Sequence, residues 1–206
     1  MKVFILTIFL LSLLSDWTPQ EKEKAEANSI NSKMSLNEKS VFYYINLIRI
    51  NPKKFEAEVL NPFLKENKKY SKKYINSLRK DLSKINTLHP LNYKYDLFKF
   101  AKKHAKTTGK KGKTGHRSVS LKGYKIRTEK LLNKYSTVGE NIHYGLNNPK
   151  KIVLELLIDD GIKNVGHRKN ILSDKYLYAS VSIQPHKKYK FNTVIEFGGA
   201  LSKWKL

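Results

Sequence analysis

The stretch IDDGIKNVGHRKNIL, residues 158–172, brings an acidic pair, two glycines and a histidine together within fifteen positions. Gly161 can adopt the positive φ that ends a helix, and Gly166 permits a second tight bend directly before His167. Polar side chains at the ends of elements are free to face a cleft. The stretch therefore predicts a functional surface, and the segments around it are interpreted as its support.

Two shorter motifs lie upstream of this stretch. Residues 138–145 read VGENIHYG and place Glu140 between small residues, where a glutamate alone would indicate a surface loop. In the loop GKKGKTGH, residues 109–116, His116 follows a glycine. The loop also contains Gly-Lys-Thr, but a phosphate-binding loop would need a glycine where Thr107 stands. The spacing therefore does not indicate a phosphate-binding loop.

The motifs GENI, residues 139–142, and GHRKNIL, residues 166–172, resemble those of the CAP superfamily, which includes cysteine-rich secretory proteins, insect venom antigens and plant pathogenesis-related proteins of class 1. Both stand in that family's order and at its spacing, and the resemblance runs from about residue 37 to 199. It implies an α+β fold, an α-β-α sandwich with a small antiparallel sheet between helical layers. The chain has no cysteine, so the resemblance is to the cysteine-free branch found in bacteria and protists.

The absence of cysteine also bounds the chemistry. It excludes a disulfide framework and a cysteine nucleophile together, so stability must come from packing. About 185 residues remain after the N-terminal segment, which is enough for one domain with a sizeable core.

The N-terminal segment has the pattern of a secretory signal. A charged start at Met1-Lys2 precedes an apolar run over residues 3–14, which predicts a signal peptide over residues 1–15. An uncleaved anchoring segment is the alternative. Residues 16–36 are polar and lack periodicity, which predicts a flexible linker. Residues 37–206 are then predicted to form the CAP domain, and the protein is expected to be secreted and extracellular.

Apolar periodicity predicts the helices and strands of this domain. A first helix begins near Asn37 and ends before Pro52, and Asn46 and Arg49 are interpreted as its polar edge. His104 lies on the apolar side of a later helix and is interpreted as structural. The other predicted elements are one amphipathic helix over residues 63–88, helices from about residue 96, around 126–132 and from 149, and a β-hairpin of residues 178–183 and 191–197.

The chain carries 41 Lys and Arg against 17 Asp and Glu, a formal charge of +24. Such an excess is typical of proteins with polyanionic partners. The lysines are scattered through every segment, whereas a nucleic-acid footprint should cluster on one face. We therefore expect a nonspecific attraction to anionic surfaces and no specific nucleic-acid partner.

The CAP resemblance also implies a cleft of histidines and carboxylates. It assigns His116, Glu140 and His167 to that cleft, with one acidic residue from the 155–160 helix end. The matching position is ambiguous among Glu155, Asp159 and Asp160, and we favour Asp160. Such residues would bind zinc or another divalent cation, because neutral imidazole and carboxylate suit that metal. The alternative is a hydrogen-bonded network that pins the sheet to the helices.

Two function classes follow. The chain has no His-Glu-x-x-His, no Gly-x-Ser-x-Gly and no cysteine, so neither a zincin nor a familiar nucleophile is visible. The CAP resemblance points the same way, because that family is known mostly for binding and signalling, with lipid or sterol capture in several members. We therefore expect a non-enzymatic extracellular protein that binds a small apolar ligand or an extracellular partner. The alternative is a metal-assisted extracellular hydrolase or protease.

Overall fold

A computed structural model describes residues 17–117, 121–145 and 147–202 of the chain. The predicted signal peptide, residues 1–15, lies outside these ranges. Within them, no helix combines the length and apolar character that crossing a membrane requires.

Helices make up much of the described chain. Several begin with the side-chain caps that helix N-termini require, as at Ser35 and Asn148, whose oxygens accept from backbone N–H groups of the first turn. A single π-helical turn, Glu56–Leu60, joins two of the short helices. The α-helices are α1 Pro19–Glu26, α2 Leu36–Ile50, α3 Pro52–Phe55, α4 Asn61–Glu66, α5 Lys72–Leu82, α6 Tyr95–Lys111, α7 Leu121–Leu132, α8 Pro149–Ile158 and α9 Gly166–Ile171.

The strands are β1 Asn92–Tyr93, β2 Val138–Gly145, β3 Tyr178–His186 and β4 Lys190–Gly198. They form one four-stranded sheet in the order β1-β3-β4-β2. β3 and β4 form the predicted hairpin, and β2 pairs antiparallel with β4, which sets Glu140 opposite Glu196. The short β1 pairs parallel with β3. The sheet is therefore the predicted small antiparallel one with a two-residue parallel strand added.

Alternation along the strands explains the layers, because successive side chains of a strand point to opposite faces. Val181, Ile195 and Phe197 lie in the main core with apolar residues of α2 and α8. Val194 lies in a second core with Ala101 and other residues of α6. The sheet is thus packed between helices on both faces, which confirms the predicted α+β sandwich.

The structure differs from the prediction of a flexible linker over residues 16–36. Thr18 and Glu21 form a reciprocal capping box that begins α1, and Ala25 of that helix is fully buried. The buried Asn46 amide donates to the Ala25 carbonyl at 3.2 Å, which ties α1 to α2. The Thr-Pro-x-Glu start signalled this helix, but the lysine-rich residues that follow hid it.

Two further predictions need correction. The single helix over residues 63–88 is two helices, because α4 ends at Glu66 and α5 begins only after Ser71. Arg49 is a core residue rather than a polar edge. It is 1% exposed, and its guanidinium donates to the backbone carbonyls of four distant residues, His89, Ile171, Ser173 and Tyr176.

Candidate functional site

Glu140, in β2, is the centre of the charged cluster beside the sheet. Its carboxylate accepts from Arg127 Nη2 at 3.0 and 2.8 Å, one bond to each oxygen. His116 Nδ1 lies 2.7 Å from Glu140 Oε1. Burial raises the pKa of Glu140, but the hydrogen bond with His116 and the nearby positive charges outweigh that effect and lower the pKa below its usual value. Glu140 is therefore ionised at neutral pH.

Glu196, directly opposite Glu140 on β4, is a second buried carboxyl in the cluster. Its Oε1 lies 3.4 Å from Arg127 Nε. Burial raises the pKa of Glu196 well above its usual value, and the neighbouring Glu140 charge raises it further. The pKa values of the two neighbouring carboxyl groups are therefore shifted in opposite directions, lowered for Glu140 and raised for Glu196.

His104, from α6, completes this cluster. Arg127 Nη1 lies 3.2 Å from His104 Nδ1, and because a guanidinium only donates, the Nδ1 must accept. The other ring nitrogen, Nε2, is buried without a hydrogen-bond partner and lies 4.0 Å from Glu140 Oε2. Burial lowers the pKa of His104, which favours the neutral ring. The predicted structural histidine thus lies inside the polar cluster.

His167, at the start of α9, pairs with Asp159. Its Nδ1 lies 2.7 Å from Asp159 Oδ1, and its backbone N–H donates to Oδ2 at 2.9 Å. The favoured residue, Asp160, is exposed, and its carboxylate instead accepts from the Ser71 N–H at the start of α5. The structure therefore brings Asp159, not Asp160, to the histidine, because left-handed Asp159, with φ of 56°, ends α8 and turns inward.

The glycines that directly precede the site residues have different conformations, and the bend predicted at Gly166 lies one residue earlier. Gly115 has a positive φ of 87°, as expected of a bend before His116. Gly166 begins α9, and the left-handed residue before it is Val165, with φ of 45°. Gly139 lies within β2, where a side-chain carbon would collide with the Tyr176 hydroxyl. This glycine thus serves close packing rather than a bend.

Glu155, the third acidic candidate, forms a separate pair. Its Oε2 lies 2.7 Å from His143 Nε2, and its Oε1 accepts from the Tyr70 hydroxyl at 2.7 Å. Burial raises the pKa of Glu155, but these two hydrogen bonds and nearby positive charges outweigh it and lower the pKa to about 2. This pair joins β2 to α8 and to the segment before α5.

The predicted metal ligands are therefore divided among separate pairs. Glu140 and Asn141 are neighbours on a strand, so their side chains diverge: Glu140 contacts Arg127, while Asn141 donates to the His167 carbonyl at 2.9 Å. Within residues 17–117, 121–145 and 147–202, no three His, Asp or Glu side chains are arranged to hold a metal ion. The arrangement described here does not fit a zinc shell of His116, Glu140, His167 and Asp160. Zinc binding itself stays a prediction.

A cavity of about 300 Å³ opens beside the Glu140 cluster, between α6 and α7. Both histidines of the cluster and Arg127 line its inner wall. None of the lining residues is acidic, and the others are Phe100, Lys103, Thr107, Gly123, Tyr124, Ile126 and Lys130.

Sequence reasoning missed Arg127 and Glu196. Arg127 sits in a lysine-rich helix in which no spacing marks it. The sequence did contain a sign of Glu196, because Glu196 alternates with the apolar Val194 on the face of β4 that packs against α6. A charged group at such a buried position requires a partner. The pairing of β2 with β4 was needed to show which partner that is.

Comparisons place this geometry among known folds. The sequence profile of the CAP group, the cysteine-rich secretory protein family, matches residues 42–197. An extracellular protein containing an SCP domain, from Bacillus anthracis str. Ames, is 18% identical with a TM-score of 0.50, and the alignment covers 90% of this chain and 45% of that chain. An outer surface protein from Borrelia burgdorferi is 17% identical with a TM-score of 0.43, covering 61% and 88%. No curated protein matches the sequence.

This chain spans less than half the length of the Bacillus protein, and at 18% identity the likeness shows the fold alone. The family profile, by contrast, matches most of the chain and includes both the GENI and GHRKNIL motifs. The chain therefore belongs to the cysteine-rich secretory protein (CAP) family, in a form without cysteine.

Proposed function

We propose that this protein is a secreted binding protein that captures a small amphipathic lipid with an anionic head group in the cavity between α6 and α7. The observation that carries the proposal is the lining of that cavity, in which apolar side chains meet the lysines Lys103 and Lys130. The cavity volume of about 300 Å³ lies at the lower end of the range typical of small-molecule sites.

The apolar part of the site supports a hydrocarbon ligand. Phe100, Tyr124 and Ile126 line the cavity, and Ile126 remains 42% exposed although it is a large apolar residue. Covering such a side chain with a ligand chain would remove its apolar surface from water, which is favourable at about 25 cal/mol per Å².

The charge of the lining supports an anionic head group. The guanidinium of Arg127 is already neutralised by Glu140. Lys103 and Lys130, exposed on the two helices that flank the cavity, are both in the lining. A carboxylate or phosphate at the mouth would therefore meet two lysines and no acidic lining residue.

Secretion is the second part of the proposal. It is supported by the signal-peptide pattern of residues 1–15 and by the description of the structural neighbours as extracellular or outer surface proteins. We expect N-terminal sequencing of secreted material to begin near or after Ser15. Recovery of the chain with Met1 intact in a cytosolic fraction would overturn this part.

The alternative function, a metal-assisted hydrolase, needs a cation that polarises water beside a free carboxylate. In this arrangement both oxygens of Glu140 accept hydrogen bonds from Arg127. The binding function is therefore the better supported of the two.

Calorimetric titration with dodecanoate tests the lipid site, with dodecanol as the uncharged probe of equal length. We expect dodecanoate to bind at one site and more tightly than dodecanol. Ile126→Glu should weaken dodecanoate binding at least about tenfold, because it places a carboxylate in the apolar lining. Ile162→Glu is the matched control, since Ile162 is 40% exposed but lies outside the cavity. Equal binding by the two variants would refute the site.

A further inference from the structure

We propose that Arg127 is the resident cation of this cleft: its guanidinium occupies the place between Glu140 and Glu196 that a divalent ion would take. The folded protein then has no zinc site at His116 and Glu140 until the Arg127 side chain is removed. The proposal does not require a lipid ligand, although Arg127, His104 and His116 also line the cavity, and it concerns what neutralises Glu140.

The first observation is the set of groups around the guanidinium. Arg127 lies within 3.4 Å of two carboxylates, an imidazole nitrogen and a backbone carbonyl. The partners are Glu140 at 2.8 Å, His104 Nδ1 at 3.2 Å, Glu196 at 3.4 Å and the His116 carbonyl at 3.4 Å. Carboxylate oxygens and imidazole nitrogens are the donors that zinc takes in proteins. One guanidinium therefore occupies both Glu140 oxygens and the His104 nitrogen, which are donors that a metal ion would need.

The second observation is the balance of charge. The side chains of Glu140 and Arg127 are 8% and 13% exposed, whereas that of His116, at the edge of the cluster, is 46% exposed. The Glu140 carboxylate and the Arg127 guanidinium lie 2.8 Å apart, so their charges offset one another. A divalent ion entering beside Arg127 would add two positive charges to a site of low dielectric constant, where like charges repel strongly. Arg127 therefore excludes a divalent ion in two ways, by its positive charge and by contacting the groups that the ion would bind.

The third observation is that Arg127 is held in place. Its guanidinium lies 5.5 Å from the centroid of the Tyr124 ring, and Arg127 and Tyr124 stand three residues apart on α7, on neighbouring surfaces of that helix. The helix and the ring together fix the direction of the side chain. Its position over the carboxylates is therefore a feature of the fold.

Removal of Arg127 would leave a donor set suited to zinc. Two imidazoles, His104 and His116, and two carboxyl groups, Glu140 and Glu196, border the vacated volume. Their side chains would have to rearrange to form a metal shell, because with Arg127 in place no three of the described His, Asp and Glu side chains are so arranged. Removal of the guanidinium would also free His104 Nδ1, the ring nitrogen that accepts from Arg127 and therefore carries the lone pair. Arg127→Ala is therefore expected to gain zinc binding as it loses its internal cation.

The test is a zinc titration of untagged protein by calorimetry at pH 7.5, with folding checked by circular dichroism. We expect no saturable heat of zinc binding from the wild type. Arg127→Ala should show a single zinc site with an affinity at least about tenfold higher than any zinc binding by the wild type. Arg127→Ala with Glu140→Gln should lose that site. Arg127→Lys, which keeps a positive charge, should bind zinc no better than the wild type.

Arg117→Ala is the matched control, because Arg117 lies 5.6 Å from the same Tyr124 ring but makes none of the carboxylate contacts described above. It should not gain zinc binding. Should Arg127→Ala fail to fold, Arg127→Gln takes its place, since it drops the charge while keeping a polar side chain.

Two results would overturn the proposal. One is stoichiometric zinc binding by the wild type that Glu140→Gln abolishes, which would show that the ion displaces Arg127 unaided. This measurement does not depend on any Arg127 variant. The other is a folded Arg127→Ala or Arg127→Gln protein without a zinc site.

Discussion

Two arginines, the buried Arg168 and the partly buried Arg127, lie near the candidate site and differ in what they bind. Arg168, from the GHRKNIL motif, is 1% exposed and donates mainly to neutral backbone carbonyls. Its partners are the carbonyls of Tyr74, Leu157 and Ile158, the Ser77 hydroxyl and the Asp81 carboxylate. Arg127, outside both motifs, binds the carboxyl groups of Glu140 and Glu196.

This difference in partners indicates that Arg168 has a structural role and that Arg127 affects the chemistry of the cleft. Three of the five partners of Arg168 are peptide carbonyls, which do not titrate, so Arg168 holds the end of α8 against α5 mainly through neutral groups. The partners of Arg127 are titratable groups that could also hold a proton or a metal ion. Arg168, which belongs to a family motif, therefore builds the frame, while Arg127, unmarked in the sequence, neutralises Glu140 in the cleft.

The largest expected effect is the loss of Arg168. Arg168→Ala should lower the free energy of unfolding by about 3–5 kcal/mol, because several buried carbonyls would lose their donor. Urea unfolding followed by circular dichroism measures it. Lys169→Ala, an exposed neighbour on α9, should change stability by less than about 0.5 kcal/mol. If Arg127→Ala lowered the free energy of unfolding more than Arg168→Ala does, Arg127 rather than Arg168 would be the main structural arginine.

The next effect distinguishes the two adjacent aspartates. Asp159→Ala should lower the free energy of unfolding by about 1–3 kcal/mol, because it removes both hydrogen bonds to His167. Alanine also tolerates the positive φ of this position less well than aspartate does. Asp160→Ala removes one exposed bond to Ser71 and should cost less than about 1 kcal/mol. Thermal unfolding of the two variants measures both. Equal losses would mean that Asp159 does not hold His167.

Local patterns in the sequence predicted much of this fold. The apolar stripe of Ile152 and Val153 marked α8, and the alternation of residues 178–183 and 191–197 marked the hairpin. His116 and Glu140 meet as the family resemblance implied. Each of these features depends on neighbours in the chain or on motifs with a fixed spacing.

What escaped prediction depends on long-range geometry. Glu196 faces Glu140 only because β2 and β4 pair in one register, across 56 positions of sequence. Asp159 and Asp160 are chemically alike, and the backbone φ that ends α8 decides which one turns to His167. The buried role of Arg49 likewise follows from carbonyls more than 120 residues away. A single sequence does not contain these distances.

A smaller effect concerns pH. The pKa of Glu155, lowered to about 2 from 4.5, means that its ionised form stabilises the fold above pH 4.5 and that this contribution is lost as pH falls towards 2. Solvent on one side screens the interaction, so we expect a contribution of about 1 kcal/mol. In Glu155→Gln, the free energy of unfolding should fall less between pH 4.5 and 2 than it does in the wild type. Glu129→Gln, on the exposed face of α7, should leave the profile unchanged.

The smallest effect concerns charge at the surface rather than in the cleft. The structure brings Lys99, Lys102 and Lys106 together at a groove on α6, although lysines are scattered through the sequence. The one acidic residue of that helix, Asp96, is already paired with Lys134. We therefore expect this lysine groove to contribute most to attraction to anionic surfaces.

Binding to phosphatidylglycerol vesicles at increasing salt measures this attraction. Each single substitution, such as Lys102→Ala, should weaken binding by less than about 1 kcal/mol, because exposed charges act in water and salt screens them. Lys65→Ala, in a different lysine-containing groove beside Arg79, is the matched control and should weaken binding less. Unlike the Arg127 cluster, which is shielded from salt by burial, the α6 groove should lose its affinity as ionic strength rises. Binding that persists unchanged in high salt would show that the attraction is not electrostatic.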